Sequence, residues 1–210
     1  LIDERVAHTT AEVVIPEAEQ IDVVPRRLTE QPPNAFKPYL CGESQVPEFA
    51  RAGDGYRFHT TGLTHDERGY PVMSAACQTK CVTRLVEKIN GARAEIVRFE
   101  EEGMDDAEEV VISYGITARL ARMGVQLARQ QGVKVGTLRL IVVWPFPERR
   151  IRELAPRISG FVVPEINLGQ MVLEVERCAG GQTTTCCVPC AGGGVHDPKE
   201  ICDAIVRAAK

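Results

Sequence analysis

A histidine and two carboxylates stand together in the stretch TTGLTHDERGYP, residues 60–71. His65 is followed directly by Asp66, Glu67 and Arg68. A histidine beside carboxylates can donate and accept protons near neutral pH. Turn residues flank the group and no nucleophile stands near it in the sequence, so two interpretations stay open, an active-site contact or a polar linker at an interface. We predict that His65 and Arg68 contact another domain or subunit.

A carboxylate and two amides follow the apolar residues in VVPEINLGQM, residues 162–171. Glu165 comes just after a predicted strand, where the N-terminus of the next helix can stabilise its charge. Asn167 is a good N-cap for a helix from about Leu168, and Gln170 completes a capping box. Capping explains Asn167 and Gln170 without a ligand. It does not explain Glu165, which could contact a ligand or a partner. We predict contacts with another domain or subunit at Glu165, Asn167 and Gln170.

Cysteines gather near the end of the chain, at Cys178, Cys186, Cys187 and Cys190, with His196 close by. Such residues can hold zinc or an iron–sulfur cluster. However, Cys186 and Cys187 are adjacent in a predicted strand, so their side chains point to opposite faces. Only Cys187 and Cys190 have the two-residue gap of a metal-binding pair. We therefore predict no metal site, and keep Cys186, Cys187 and Cys190 as weak candidates.

Sequence signatures of nucleotide binding and of nucleophilic catalysis are missing. No GxGxxG opens a predicted helix, and no GxxxxGK[ST] occurs. The glycines of CAGGGVHD, residues 190–197, are interpreted as a flexible turn before a helix. No serine–histidine–aspartate or cysteine–histidine arrangement carries a recognisable signature. We predict no catalytic residue in this chain.

Charge and composition argue against nucleic acid and a membrane as partners of this chain. The 25 Lys and Arg face 29 Asp and Glu, and seven of the acids lie in residues 100–109, which we interpret as a solvated loop. No basic stripe suggests nucleic acid, and no apolar run is long enough to cross a membrane. Eight cysteines without a secretory signal predict reduced thiols in a cytoplasm. The chain begins without Met, which we interpret as a fragment of a larger protein.

Helices and strands alternate regularly after Pro71. Helices are predicted over 74–90, 116–132, 147–157, 168–178 and from Pro198, and strands over 109–113, 137–144, 158–163 and 182–190. In the first helix, Cys77 and Cys81 share an apolar face with Leu85 and are predicted to be core. Fourfold alternation predicts an α/β fold, a mostly parallel sheet of four or five strands flanked by helices.

Residues 1–70 lack the regular helix and strand patterns of residues 71–210. They show little periodicity beyond one short helix predicted near Asp3–Val13. Six prolines occur between residues 16 and 47, and proline is excluded from helix interiors and central strands. We predict an extended, proline-rich arm that lies on another domain, and a domain boundary between residues 70 and 71.

Three motifs stand in order along the chain: Thr61-Gly62-Leu63 with His65-Asp66 and Gly69, the run Trp144-Pro145-Phe146-Pro147, and Glu165 with Asn167, Gly169 and Gln170. Together they resemble the alpha subunit of 2-oxoacid:ferredoxin oxidoreductases, most of all the 2-oxoglutarate type. The resemblance implies that residues 1–70 are the tail and connector of a thiamine-diphosphate domain. It also implies that residues 71–210 form a transketolase C-terminal-like domain that serves assembly and packing.

The resemblance implies a reaction for the whole enzyme. A 2-oxoacid condenses with thiamine diphosphate and loses CO₂, electrons pass through a [4Fe–4S] cluster to ferredoxin, and the acyl group passes to coenzyme A. It implies a beta subunit, the remainder of the alpha subunit and a dimer of alpha–beta units. Thiamine diphosphate, Mg²⁺ and the cluster are not expected to be held by this segment alone. Two alternatives stay open, a free-standing interaction module and a cysteine-based metal or redox module.

Overall fold

The computed structural model describes residues 14–210. The predicted helix near Asp3–Val13 lies outside these residues. The described chain forms two compact units, one ending at Ala94 and the other formed by Glu95–Lys210. This division places the helix that begins at Ala75 with the proline-rich residues, whereas the boundary at residues 70 and 71 stays a prediction about the family's domains. No helix in the described part of the chain is long and apolar enough to cross a membrane.

The unit Glu95–Lys210 is built on a five-stranded sheet. Its strands are β1 (Phe99–Glu102), β2 (Glu109–Tyr114), β3 (Val135–Leu140), β4 (Gly160–Glu165) and β5 (Thr184–Pro189). Their spatial order is β1-β3-β2-β4-β5, with β1 antiparallel to β3 and the other neighbours parallel. The predicted α/β fold with a mostly parallel sheet is confirmed. The third strand ends at Leu140 rather than at Trp144.

The helices begin close to the residues that the periodicity predicts. They are α1 (Ala75–Gly91), α2 (Arg93–Ile96), α3 (Gly115–Gln130), α4 (Glu148–Leu154), α5 (Met171–Ala179) and α6 (Pro198–Ala208), with short 3-10 helices at Ala18–Gln20 and Ala155–Arg157. Ser74 caps α1 by accepting from the Cys77 N–H. Asp197 and Glu200 form a capping box at the start of α6. Both caps are local signals, which is why the sequence reveals them.

The core lies on both faces of the sheet because side chains alternate along each strand. Val110, Ile112, Phe161 and Val163 face α4 and α5. Val111, Val135 and Val162 face α3 and α6. The helices α3 and α6 approach closely, since a Cβ on Gly124 would lie 2.9 Å from the Cβ of Ile201. This sandwich holds the carboxyl ends of β2 and β4 side by side.

The acidic segment 100–109 is not a solvated loop throughout, so that interpretation is wrong. Its first residues form the edge strand β1, which pairs with β3. Arginines from three different elements neutralise the acids: Glu100 pairs with Arg139 at 3.0 Å, Glu101 with Arg150 at 2.7 Å and Glu102 with Arg122 at 2.6 Å. A charged edge strand also discourages pairing with other sheets.

The unit that ends at Ala94 has little core of its own. Residues 14–72 contain the one 3-10 helix and isolated bridges such as Leu28–Phe49 and His65–Pro71. Helix α1 buries no residue, and Leu85 is half exposed. The prediction that Cys77, Cys81 and Leu85 are core is therefore wrong for the described chain, because the turn around His65 covers Cys77 and Cys81 only in part and leaves Leu85 exposed. The extended arm stays a prediction.

Candidate functional site

Glu165 closes the N-terminus of α5 from the carboxyl end of β4. Its side chain is fully buried. Oε1 accepts hydrogen bonds from the backbone N–H groups of Val172 at 2.9 Å and Gln170 at 3.1 Å. Oε2 accepts from the N–H of Met171 at 3.0 Å. These are the N–H groups that the first turn of a helix leaves without partners, and their dipoles favour a negative charge.

Two further side chains complete the surroundings of Glu165. The Tyr114 hydroxyl, at the end of the neighbouring strand β2, donates to Oε2 at 2.8 Å. The Asn167 amide donates to the Tyr114 oxygen at 3.1 Å and to Oε2 at 3.2 Å. The Asn167 carbonyl oxygen accepts from the Gly169 N–H at 2.7 Å. We call Tyr114, Glu165 and Asn167 the carboxyl-edge cluster.

The hydrogen bonds of the cluster decide its protonation. Burial opposes the charge of the Glu165 carboxylate, but the N–H groups of Val172 and Met171 and the Tyr114 hydroxyl outweigh burial and lower its pKa. Burial and the neighbouring carboxylate raise the pKa of Tyr114 to about 12. The carboxylate therefore stays ionised and the phenol stays neutral around pH 7.

The predicted capping box at Asn167 and Gln170 is wrong. Helix α5 begins at Met171, and its N-cap residue Gln170 makes no side-chain capping bond. The acceptor comes from Glu165, five to seven residues before the N–H groups it binds. Asn167 instead holds the loop through the Gly169 N–H, and Gly169 has a φ of +109°. Capping signals in a sequence are local, whereas this acceptor arrives from a strand.

The expectation for Glu165 is partly confirmed. It faces the backbone N–H donors of the next helix, as predicted, but it is fully buried and accepts them from within the chain. All its partners belong to this chain, so the anion-binding end of α5 is filled by an internal carboxylate. A carboxylate that is buried and held ionised is a poor general base. The contacts of Glu165, Asn167 and Gln170 with another domain or subunit stay predictions.

His65 and Arg68 lie in the other unit, within a tight turn. The His65 Nδ1 lies 2.7 Å from the carbonyl oxygen of Leu63, and its ring packs on Tyr39 with centroids 3.9 Å apart. Asp66 accepts from the Arg68 and Tyr70 N–H groups and pairs with the Arg68 guanidinium at 2.9 Å. Asp66 is thus a turn-forming residue rather than a partner of His65. The interface role of His65 and Arg68 stays a prediction.

The cysteines at the end of the chain do not converge. Cys186 is exposed, whereas Cys187 packs partly against the core beneath α5, and burial raises the pKa of its thiol. The Cys190 N–H donates to the Glu165 carbonyl oxygen at 2.8 Å. His196 is buried with Nε2 2.7 Å from the Val188 carbonyl oxygen. Within residues 14–210, no three His, Cys, Asp or Glu side chains form a group that could hold a metal ion.

Two helix N-termini of the described chain are closed to the diphosphate of the cofactor that the resemblance implies. Glu165 occupies the N-terminus of α5, and Asp197 occupies that of α6. Mg²⁺ would need converging oxygen ligands, and an iron–sulfur cluster would need converging thiolates. Residues 14–210 offer neither arrangement. No step of a reaction is therefore assigned to these groups here.

Sequence reasoning missed two residues, Tyr114 and Glu109. Nothing in the sequence distinguishes Tyr114 from other aromatic residues at the ends of strands, because its partner Glu165 comes from β4. Glu109 begins β2 and is only 1% exposed, and neither of its carboxylate oxygens has a hydrogen-bond partner. Burial, with a smaller contribution from Glu108, raises its pKa to about 7. Since Glu109 is one of seven acids in residues 100–109, only the sheet distinguishes it from the others.

Comparisons with known proteins identify relatives of the whole chain. The family model of the pyruvate:ferredoxin oxidoreductase core domain II matches residues 107–201. The 2-oxoglutarate synthase subunit KorA of Methanothermobacter thermautotrophicus is 41% identical over 98% of this chain and 54% of its own length. KorA of Methanocaldococcus jannaschii is 38% identical over 98% of this chain and 54% of its own length. The chain thus spans about half the length of these curated relatives.

A solved structure has the same fold. The chain matches a 2-oxoglutarate:ferredoxin oxidoreductase from Magnetococcus marinus, solved with 2-oxoglutarate, coenzyme A and succinyl-CoA bound, with a TM-score of 0.75. The match covers 93% of this chain and 34% of that chain at 22% identity. A shorter relative, the ketoisovalerate oxidoreductase subunit VorB of Methanothermobacter thermautotrophicus, is 39% identical over 60% of this chain and 35% of its own length.

Proposed function

Since this chain belongs to the 2-oxoacid:ferredoxin oxidoreductases, we propose that it is the C-terminal part of the alpha subunit of an enzyme that acts on 2-oxoglutarate. The enzyme decarboxylates the 2-oxoacid and forms an acyl-CoA. The observation that supports this substrate is the 41% identity to a KorA subunit over 98% of the chain. In the whole enzyme, thiamine diphosphate with Mg²⁺ and a [4Fe–4S] cluster supply the carbanion and electron-transfer chemistry.

The chain's own share in this function is assembly and packing. Residues 1–70 are the tail and connector of the preceding thiamine-diphosphate domain, and residues 71–210 are the transketolase C-terminal-like domain. The filled helix N-terminus at Glu165 supports a structural role, because the polar groups at the carboxyl edge are satisfied within the chain. The segment by itself is inactive and holds none of the cofactors.

The partners of the chain are the remainder of the alpha subunit and a beta subunit, in a dimer of alpha–beta units. Ferredoxin and coenzyme A meet the assembled enzyme. His65, Arg68, Glu165, Asn167 and Gln170 are the candidate contacts. The enzyme works in the cytoplasm, and the eight free thiols of the chain support a reducing compartment.

The test is an activity measurement on the full-length alpha subunit produced together with its beta subunit. The 2-oxoacid-dependent reduction of ferredoxin is followed in the presence of coenzyme A, with 2-oxoglutarate, pyruvate and 2-oxoisovalerate as substrates. We expect the highest kcat/KM with 2-oxoglutarate. A higher kcat/KM with 2-oxoisovalerate would assign the chain to the ketoisovalerate enzymes instead, and no reduction with any 2-oxoacid would refute the proposed reaction.

A further inference from the structure

A cavity of about 710 Å³ lies within the unit that ends at Ala94. It is bounded by the segment 37–45, the turn around His65 and one face of α1. Its polar lining includes Lys37, Lys80 and Arg84. A volume of this size is typical of small-molecule sites, which combine apolar walls with a few polar groups.

Arg84 is the cation of this cavity that has N–H donors without a partner in the described chain. Its Nη1 donates to the Gln45 carbonyl oxygen at 3.2 Å and lies 3.7 Å from the Cys41 sulfur. Among the residues that the structure describes, no carboxylate forms an ion pair with it. Glu87, three residues further along α1, also lines the cavity, and its side chain is exposed. A guanidinium carries five N–H donors, so most of those of Arg84 are available to a ligand.

The other cations of the cavity are already paired. Lys37 and Lys80 both bind the Glu67 carboxylate, at 3.7 and 2.6 Å, and Arg68 binds Asp66. These pairs lie around the turn and set the positions of the lysines. Arg84 thus differs from the other cations of the lining in having only neutral partners.

Apolar side chains and thiols form part of the lining near Arg84, which also includes the carboxylate of Glu87. Leu40, Val72 and Ala76 supply apolar surface. The thiols of Cys77 and Cys81 both donate to the His65 carbonyl oxygen, at 3.2 and 3.3 Å. Burial and the neighbouring Cys81 thiol raise the pKa of Cys77, which favours the neutral thiol at this position of the wall.

We propose that this cavity binds a small oxyanion ligand, a carboxylate or a phosphate on a short apolar stem, and that Arg84 holds the anionic group. The guanidinium matches two oxygens of such a group at once, and the stem packs against Leu40, Val72 and Ala76. Lys80 lies on the same lining and adds positive charge. This site goes beyond the proposed function, which does not require it.

The three thiols of the lining allow a direct test on the full-length protein. N-ethylmaleimide modification of Cys41, Cys77 and Cys81 is measured by mass spectrometry with inorganic phosphate or with 2-oxoglutarate, at constant ionic strength set by sodium chloride. At ten times its Kd, a ligand should slow modification of these thiols about tenfold, because only the free cavity reacts. The two anions distinguish a phosphate ligand from a carboxylate ligand. Cys186, exposed on β5, should react at the same rate throughout.

Variants test whether the protection of the thiols depends on Arg84 itself or on the positive charge of α1 in general. Arg84→Met should abolish the protection, and Arg84→Lys should retain part of it. Lys88→Met, which removes a charge from the same helix outside the cavity lining, should leave the protection unchanged. Where the thiols prove unreactive, calorimetry with the same two anions replaces the alkylation. Absence of protection and of binding heat up to about 10 mM of either anion, or equal protection in Arg84→Met, would overturn the proposal.

Discussion

The Tyr114 hydroxyl donates a hydrogen bond of 2.8 Å to the Glu165 carboxylate, across 51 residues of sequence. The contact joins the carboxyl ends of β2 and β4, which pair in parallel. The same carboxylate holds the first turn of α5 through three backbone N–H groups. Two strands and a helix therefore depend on one buried charge, and this dependence leads to the first two predictions.

Replacement of Glu165 by alanine should destabilise the protein strongly. It leaves the N–H groups of the first turn of α5 and the half-buried Tyr114 hydroxyl without an acceptor, and we expect a loss of about 3 kcal/mol in the free energy of unfolding. Urea unfolding followed by circular dichroism measures it. The exposed Glu176 of α5 provides the control, since Glu176→Ala should change the free energy by at most about 0.5 kcal/mol. Equal stability of the two variants would mean that Glu165 contributes little.

Glu165 should also contribute to the acid sensitivity of the protein. Its pKa is lowered in the folded state, so the unfolded chain binds the proton more tightly. The stabilisation is therefore fully present above the unfolded pKa and is lost as the pH falls through the folded pKa. Tyr114→Phe removes one donor and should raise the pKa of Glu165, which moves acid unfolding to higher pH. Titration by circular dichroism between pH 6 and 2 checks this, and an unchanged midpoint would contradict it.

Glu109 should have the opposite effect on stability. Burial raises its folded pKa to about 7 from an ordinary value of 4.5, so the folded protein binds the proton more tightly. Stability should fall as the pH rises from 4.5 through 7, by roughly 3 kcal/mol for this shift. In Glu109→Gln this slope should disappear, with higher stability at pH 8 and little change at pH 4.5. Urea unfolding at both values tests this.

The control for Glu109 is its neighbour Glu108. Glu108 is exposed and pairs with Lys134 at 2.6 Å. Glu108→Gln should leave most of the pH slope in place, because burial is the larger cause of the Glu109 shift. A slope that survives in Glu109→Gln would assign the pH dependence to another group.

Alanine at position 124 should disturb the contact between α3 and α6. The added Cβ would lie 2.9 Å from the Ile201 side chain and 3.0 Å from the Pro198 carbonyl oxygen. We expect a loss of about 1–3 kcal/mol in the free energy of unfolding. Gly91→Ala, in a helix position with open space around it, is the matched control and should be neutral or slightly stabilising. A stabilising Gly124→Ala would show that the two helices can separate without cost.

The elements of the sheet unit and its fold class could be predicted from the residues alone. β2 and β4 are continuous apolar runs because they are buried on both faces, and α3 and α6 are amphipathic because one face of each packs on the sheet. The Ser74 and Asp197 caps are likewise local, because each acceptor lies two or three residues from its donor. Local patterns of this kind can be recognised in the sequence without knowing which residues lie nearby in the folded chain.

Features that depend on distant residues could not be predicted in this way. The acids of β1 form a strand because they pair with β3, and Arg139, Arg150 and Arg122 arrive from β3, α4 and α3 to neutralise them. Glu109 is buried by the sheet, although it stands in the same acidic run. Glu165 replaces the predicted caps because β4 delivers its carboxylate to α5. In each case the free energy of a charged side chain depends on its partners and its solvent exposure. The spacing of residues along the sequence does not show either of them.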